Sequence, residues 1–156
     1  MQEIELTQGQ VALVDDVDYE YLSQWKWYAG WYRNCFRARR TTYNGKKKAV
    51  HMSIVVAERM GIDAKCIDHK DRNPLNNQRS NLRPATDAQN GHNCEAYSTS
   101  KTGVKGVWFD EARGKFQTAI WFEGKRYALG RFYTLPEAAA VVQKKREELV
   151  GEFACH

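Results

Sequence analysis

Residues 66–93 read CIDHKDRNPLNNQRSNLRPATDAQNGHN, with six asparagines from Asn73 to Asn93. The reading of this stretch decides the fold. KCID reads as a short strand ending on Asp68 and His69, and HKDRNPLNNQRS as a loop carrying Pro74. NLRPA returns as a second short strand. Thr86 then caps a helix, and Gln89 completes a capping box in TDAQ. Strand, loop, strand and helix make a compact ββα unit over residues 63–95. Such a unit is too small to bury much surface alone, so it needs the preceding segment or a metal to hold it.

The residue types suit phosphodiester hydrolysis. That reaction needs a base for water, a divalent ion to polarise the phosphate, and a fixed geometry. Neutral imidazole suits the first task and hard oxygen donors suit Mg²⁺. Asp68 and His69 supply one of each, side by side. In a regular strand they would point to opposite faces, so both serve one site only if the strand ends or twists there. Asn90 lies early in the following helix, where packing on the hairpin could bring its amide oxygen toward Asp68, and Asn93 shares its helix face. A zinc site built from Cys66, His69, His92 and Cys94 is the competing arrangement. It would consume His69, and its spacing departs from the usual paired CxxC form.

Before this unit, residues 1–62 read as β-rich. WKWYAGWY (25–32) and CFRARRTTY (35–43) carry the aromatic and β-branched residues of strands. Asn44-Gly45 marks a hairpin whose two turn positions both call for positive φ, and KKKAVHM returns as the partner strand. SIVVAERMG follows as a short helix with Ser53 as N-cap and Gly61 as its stop. His51 reads as a structural residue.

After it, AYSTSKTG (96–103) reads as a linker. VKGVWFD, GKFQTAIWF and KRYALGRFY then form three strands, with Glu123-Gly124 as the tight turn between the last two. Phe116, Thr118, Ile120 and Phe122 alternate with Lys115, Gln117, Ala119 and Trp121, giving one apolar and one mixed face. TLPEAAAVVQKKREELVG is a helix with Thr134 and Glu137 as capping box, Pro136 in its first turn and Gly151 at its end. Leu135, Ala138, Ala139, Val142 and Leu149 can cover the apolar face.

The 156 residues suffice for one compact domain or two small ones, and 42% apolar content fits a folded chain. No apolar run approaches a membrane span, and the N-terminus does not read as a signal peptide. Four scattered cysteines without CxxC suit reduced thiols, so a cytoplasmic setting is expected. The formal charge is only +5, but it is segregated. Residues 1–20 carry six acids and no base; residues 33–48 carry seven bases and no acid. Residues 97–131 carry seven bases against three acids. Two basic, aromatic-laced patches point to nucleic acid.

DHKDRNPLNNQRSNLRPATDAQNGHN resembles the HNH endonuclease family, in its phage and intron homing subgroup. The resemblance implies a ββα-metal (His-Me finger) nuclease domain over 1–95. It makes His69 the general base, Asp68 and Asn90 ligands of Mg²⁺ or another divalent ion such as Mn²⁺, and Asn81 the residue that ties the strands and holds the loop. GVKGVWFDEARGKFQTAIWFEGKRYALGRFYTLPEAAAVVQKK resembles the AP2 DNA-binding domain, a three-stranded antiparallel sheet on one helix that lies in the major groove. The implied fold class is α+β, with the nuclease domain followed by the AP2-like domain over 104–156. By period, Lys115, Gln117 and Trp121 share the open sheet face with Arg126; Lys105 and Trp108 fall at positions that family uses, and Arg113 sits in the connecting turn. Plant members carry arginines where this chain has Trp108, Ala119, Trp121 and Ala128, so phosphate contacts should outweigh base readout. Arg37, Arg39 and Arg40, with Lys46, Lys47 and Lys48, should add phosphate contacts from the first segment. The expected protein is thus a metal-dependent endonuclease acting on duplex DNA, nicking as a monomer or cutting both strands as a homodimer. The alternative is a non-catalytic DNA-binding protein that uses the AP2-like sheet.

Overall fold

The structure, a computed structural model, describes residues 1–32, 34–93 and 100–154. Cys94, Cys155 and positions 96–99 of the expected linker lie outside them. The chain divides into two compact units, Met1–Thr86 and Asp87–His156. Among the described residues it is a mixed α/β protein with small sheets and four α-helices.

In the first unit, β1 (Gln2–Glu5) pairs antiparallel with β2 (Val11–Val14), and α1 (Asp16–Leu22) follows. β3 (Tyr28–Tyr32), β4 (Cys35–Asn44) and β5 (Lys46–His51) form an antiparallel sheet in that order. α2 (Met52–Arg59) leads to β6 (Ile67–His69), which pairs antiparallel with β7 (Leu82–Pro84). One core joins these pieces: Val14, Leu22, Trp27, Ala38, Met52, Val56, Ile67 and Leu82 are buried together. A two-stranded hairpin is marginal in water. Here Ile67 and Leu82 seat the β6–β7 hairpin on a core already supplied by β2 and the two helices.

Three local expectations shift. Residues 25–27 stand outside β3, because Trp27 is drawn into the core and its Nε1 donates to the Leu22 carbonyl at 2.8 Å. A buried indole N–H needs such an acceptor, and reaching it takes the chain out of the strand. At the Asn44-Gly45 turn only Gly45 adopts positive φ (71°), since Asn44 still pairs with Lys46 across the ladder. The helix expected from Ser53 begins at Met52, with His51 at the N-cap in extended backbone (φ −85°, ψ 138°). β5 runs into α2 without a loop, so the last strand residue takes the cap position and Ser53 is buried.

In the second unit, α3 (Asp87–His92) comes first. β8 (Val107–Asp110), β9 (Lys115–Phe122) and β10 (Lys125–Phe132) form an antiparallel sheet with β9 central, and α4 (Leu135–Val150) packs on it. Glu123 (φ 49°) and Gly124 (φ 75°) make the tight turn between β9 and β10. The Thr134 hydroxyl accepts from the Glu137 backbone N–H at 3.4 Å, capping α4. Val107, Ile120, Ala138 and Val142 form the core, flanked by Phe116, Leu129, Phe132, Leu135 and Leu149. Ala139 stays outside this cluster because it falls off the stripe of Leu135, Ala138 and Val142. Phe122, the last residue of β9, is also outside it. Ala119 is buried although it alternates toward the open face; a methyl between Gln117 and Trp121 has little surface left to expose.

Candidate active site

β6 is short and wholly buried, which is unusual for a strand that ends in two polar residues. Asp68 stands opposite Arg83 in the ladder and is 2% exposed. Arg83 Nε and Nη2 both lie 2.8 Å from Asp68 Oδ2, so the buried carboxylate is paired with a guanidinium that is itself buried. The strand stops at His69, where the Arg72 N–H bonds back to the His69 carbonyl at 2.9 Å with Arg72 at φ 65°.

His69 Nε2 lies 3.4 Å from Asn77 Oδ1, and both residues are buried. If the amide oxygen accepts, Nε2 carries the proton and the lone pair resides on Nδ1. Burial pushes the imidazole below its ordinary 6.5, and the Arg37 charge adds to this; the Asn77 hydrogen bond and the Asp71 and Asp68 charges oppose it. The net shift is downward, so the ring is neutral at physiological pH, as a general base requires.

The loop between β6 and β7 is braced by side chains rather than by apolar packing. Asn81 Oδ1 accepts from the Asp71 N–H at 3.0 Å, while Asn81 Nδ2 donates to Asp71 Oδ1 at 2.9 Å and to the Asn76 carbonyl at 2.8 Å. Asp71 also accepts from the Asn73 N–H at 2.8 Å and from Asn76 Nδ2 at 2.7 Å. Burial alone would raise the Asp71 carboxyl, but the donors from Asn73, Asn76 and Asn81, with the nearby His69, hold it below its ordinary value. Asn73 and Asn76 each accept from the backbone two residues on, which forms consecutive Asx turns. The Leu13 N–H bonds the Leu75 carbonyl, and the Asn77 N–H bonds the Leu13 carbonyl, both at 2.8 Å, docking the loop on β2.

The acidic first segment supplies the other anchor. Asp15 accepts from the Arg79 N–H at 2.7 Å and from Gln78 Nε2 at 3.2 Å. Asp18, fully buried, pairs with Arg79 Nε at 2.7 Å and with Arg59 Nε at 2.6 Å. α1, α2 and the loop before Asn81 therefore share one carboxylate.

Of the sequence-predicted residues, Asp68, His69 and Asn81 come together in the first unit, with Asp71, Asn77 and Arg83 as partners the sequence had not singled out. Asn90 lies on α3, in the second unit. Arg37 and Arg39 share one face of β4, pairing across from Gly30 and Tyr28, while Arg40 alternates to the other face and lies 4.2 Å from the centre of the Trp25 ring. In the second unit, Trp108 and Arg131 flank Gln117 across the sheet, and Arg126 stands opposite Trp121. The Arg126 guanidinium lies 6.0 Å from the Trp108 ring, and Trp121 is 64% exposed. Lys115 lies over the Tyr133 ring at 4.3 Å, Arg113 pairs with Asp110 at 3.0 Å, and Lys105 donates to the Gly91 carbonyl at 2.7 Å. Arg131 was missed because a bulge between Ala128 and Gly130 shifts the register of β10 and brings it opposite Gln117.

The donor chemistry at Asp68 suits a hard divalent ion. Among the described residues no group of three or more His, Cys, Asp or Glu side chains could cage a metal. An ion held through few protein oxygens, with phosphate and water completing its shell, is the usual mode for Mg²⁺. Cys94 of the competing zinc set lies outside the described residues.

A family model described as HNH endonuclease matches residues 48–92, a span that contains Asp68, His69, Asn81 and Asn90. Protein 3.8 of Escherichia phage T7 is 35% identical over 88 residues, covering 56% of this chain and 72% of that protein. An uncharacterized HNH endonuclease of Acanthamoeba polyphaga mimivirus is 29% identical over 149 residues, covering 94% of this chain and 74% of that protein. No solved structure matches the chain. Among the described residues, no helix is long and apolar enough to cross a membrane.

Proposed function

We propose, from the premise that this chain belongs to the HNH endonuclease family, that it is a homing-type endonuclease hydrolysing duplex DNA with His69 as general base. The observation that carries this reading is the end of β6. Asp68 and His69 are adjacent and buried at the strand end, and the loop that follows is braced by Asp71 and Asn81.

His69 takes the proton from the attacking water, in line with the departing 3′ oxygen. Asn77 fixes the ring and its tautomer, and Asn81 keeps the loop in the shape that positions both. Arg83 pairs with the Asp68 carboxylate and fixes its orientation. HNH nucleases generally depend on a divalent metal. When bound, on Asp68 and by family resemblance on Asn90, the ion (Mg²⁺ or Mn²⁺) supplies charge stabilisation to the phosphate and leaving oxygen. The β8–β10 sheet is the proposed AP2-like docking surface, supported by the shared row of Trp108, Gln117 and Arg131 and by exposed Trp121.

The test is incubation with supercoiled plasmid and Mg²⁺, with and without chelator. The reading expects nicked or linear DNA only without chelator. An intact plasmid under both conditions, with DNA still bound, would instead make the protein a non-catalytic DNA binder.

A further inference from the structure

Alternation on β4 places Arg37 and Arg39 on the face turned away from Ala38 and the core. The ladder to β5 puts His51 opposite Arg39 on that same face. Arg59, Arg79 and Arg83 each pair with an aspartate. Arg37 and Arg39 have no such partner among the described residues. Both lie over the Tyr32 ring, at 5.3 and 5.5 Å, and their Nε atoms are buried without a hydrogen-bond acceptor. Like charges two residues apart on one strand face repel, and a buried N–H without an acceptor is costly. An anion with several oxygens, met by the outer guanidinium nitrogens, would relieve the repulsion.

The surroundings keep this arrangement in place. Gly30 lies opposite Arg37, and a Cβ there would stand 2.7 Å from Arg39 Cδ. A Cβ at position 30 would make the Arg39 side chain shift from its course across β3. β5 passes directly into α2 at His51, and α2 packs on both β6 and β7. The cluster therefore adjoins the end of β6. Burial and the Arg39, Arg37 and His69 charges all push the His51 imidazole down, and Arg37 also acts on His69, so these groups are electrostatic neighbours.

We propose that Arg37, Arg39 and His51 form a seat for the non-bridging oxygens of the phosphodiester attacked by the water that His69 activates, with Gly30 as a positioning residue. Arg40, stacked on Trp25 from the opposite face, takes no part in it. Guanidinium forks suit phosphate oxygens, and neutral His51 adds a single donor. The inference rests on the nuclease reading for the identity of the phosphate, not for its binding.

Two measurements on the full chain test it. In the first, thymidine 3′,5′-bisphosphate is titrated in the presence of chelator while the His51 ring signals are followed by NMR. The wild-type signals should move, and Arg39→Gln should weaken the titration several-fold. Wild-type signals that stay still, or equal affinity in both proteins, overturn the seat. In the second, single-turnover cleavage is measured at saturating duplex DNA with Mg²⁺. Arg37→Gln and Arg39→Gln should lose about 100-fold in rate, the scale of one lost charge-stabilising donor, with little change in DNA affinity. Gly30→Ala should move the rate the same way while keeping every charge. Loss of affinity with the saturating rate unchanged would make these residues general backbone contacts and overturn the proposal. If the wild-type protein binds the bisphosphate at His51 yet cuts no DNA, the nuclease reading fails and the anion seat stands.

Discussion

Replacing Asp18 with Asn removes the charge from a carboxylate that has no exposure. Asp18 Oδ1 accepts from Arg59 Nε at 2.6 Å and Arg79 NH2 at 2.9 Å, and Oδ2 accepts from Arg79 Nε at 2.7 Å. Breaking a buried ion pair by deleting one partner costs about 3–5 kcal/mol. The two arginines are 30% and 32% exposed and can turn into water, so about 2–3 kcal/mol is expected here. The effect should depend on pH with a definite sign. Burial alone would raise this carboxyl, but the hydrogen bonds and charges of Arg79 and Arg59 outweigh it and hold the group below 3.8. As pH falls, the unfolded chain therefore takes up the proton first. The contribution is complete above 3.8 and is lost as pH drops through the lower folded value. Urea denaturation followed by tryptophan fluorescence, at neutral and at acid pH, measures both. A neutral-pH difference below about 0.5 kcal/mol, the scale of an ordinary surface change, would refute the reasoning. So would a difference that does not shrink on acidification.

Asn77→Ala should leave His69 in place without this hydrogen bond, and lower the cleavage rate about 10- to 100-fold, the scale for losing an orienting partner. Single-turnover kinetics, with folding checked by circular dichroism, would show this. Gly106 sits at φ 85°, and a Cβ there would stand 2.8 Å from the Ala119 carbonyl oxygen. Gly106→Ala should therefore destabilise the second unit by about 1–3 kcal/mol, measured by thermal or urea unfolding. If the β8–β10 sheet docks on DNA, Arg126→Ala should reduce the slope of log affinity against log salt by about one, read from binding titrations across a salt series.

The elements most legible in the sequence are those fixed by local rules. Glu123-Gly124 needs positive φ at adjacent positions, and Thr134 with Glu137 caps its own helix, so the second unit's sheet and α4 follow from short-range chemistry. Asp68 and His69 were legible for a similar reason, being adjacent residues of complementary chemistry before an Asn-rich loop. What holds them was not. Arg83 reaches Asp68 only because the β6–β7 register pairs them. Asp15 and Asp18 meet Gln78 and Arg79 across more than 60 residues of chain, so the acidic first segment carries no local sign of its role as an anchor. Asn77 reads as one more turn residue until the fold turns its amide toward His69. The division of Arg37 and Arg39 from Arg40 follows from strand alternation, but only once residues 35–44 are known to form one unbroken strand against a core on one side.

The central claim is that His69 activates the water. It is tested most directly by single-turnover cleavage of the same duplex DNA by wild-type protein and His69→Ala, with Mg²⁺ present and DNA saturating. The account predicts a loss of about 10²- to 10⁴-fold, with DNA affinity and the urea midpoint close to wild type. Cleavage by the variant at the wild-type rate would contradict it.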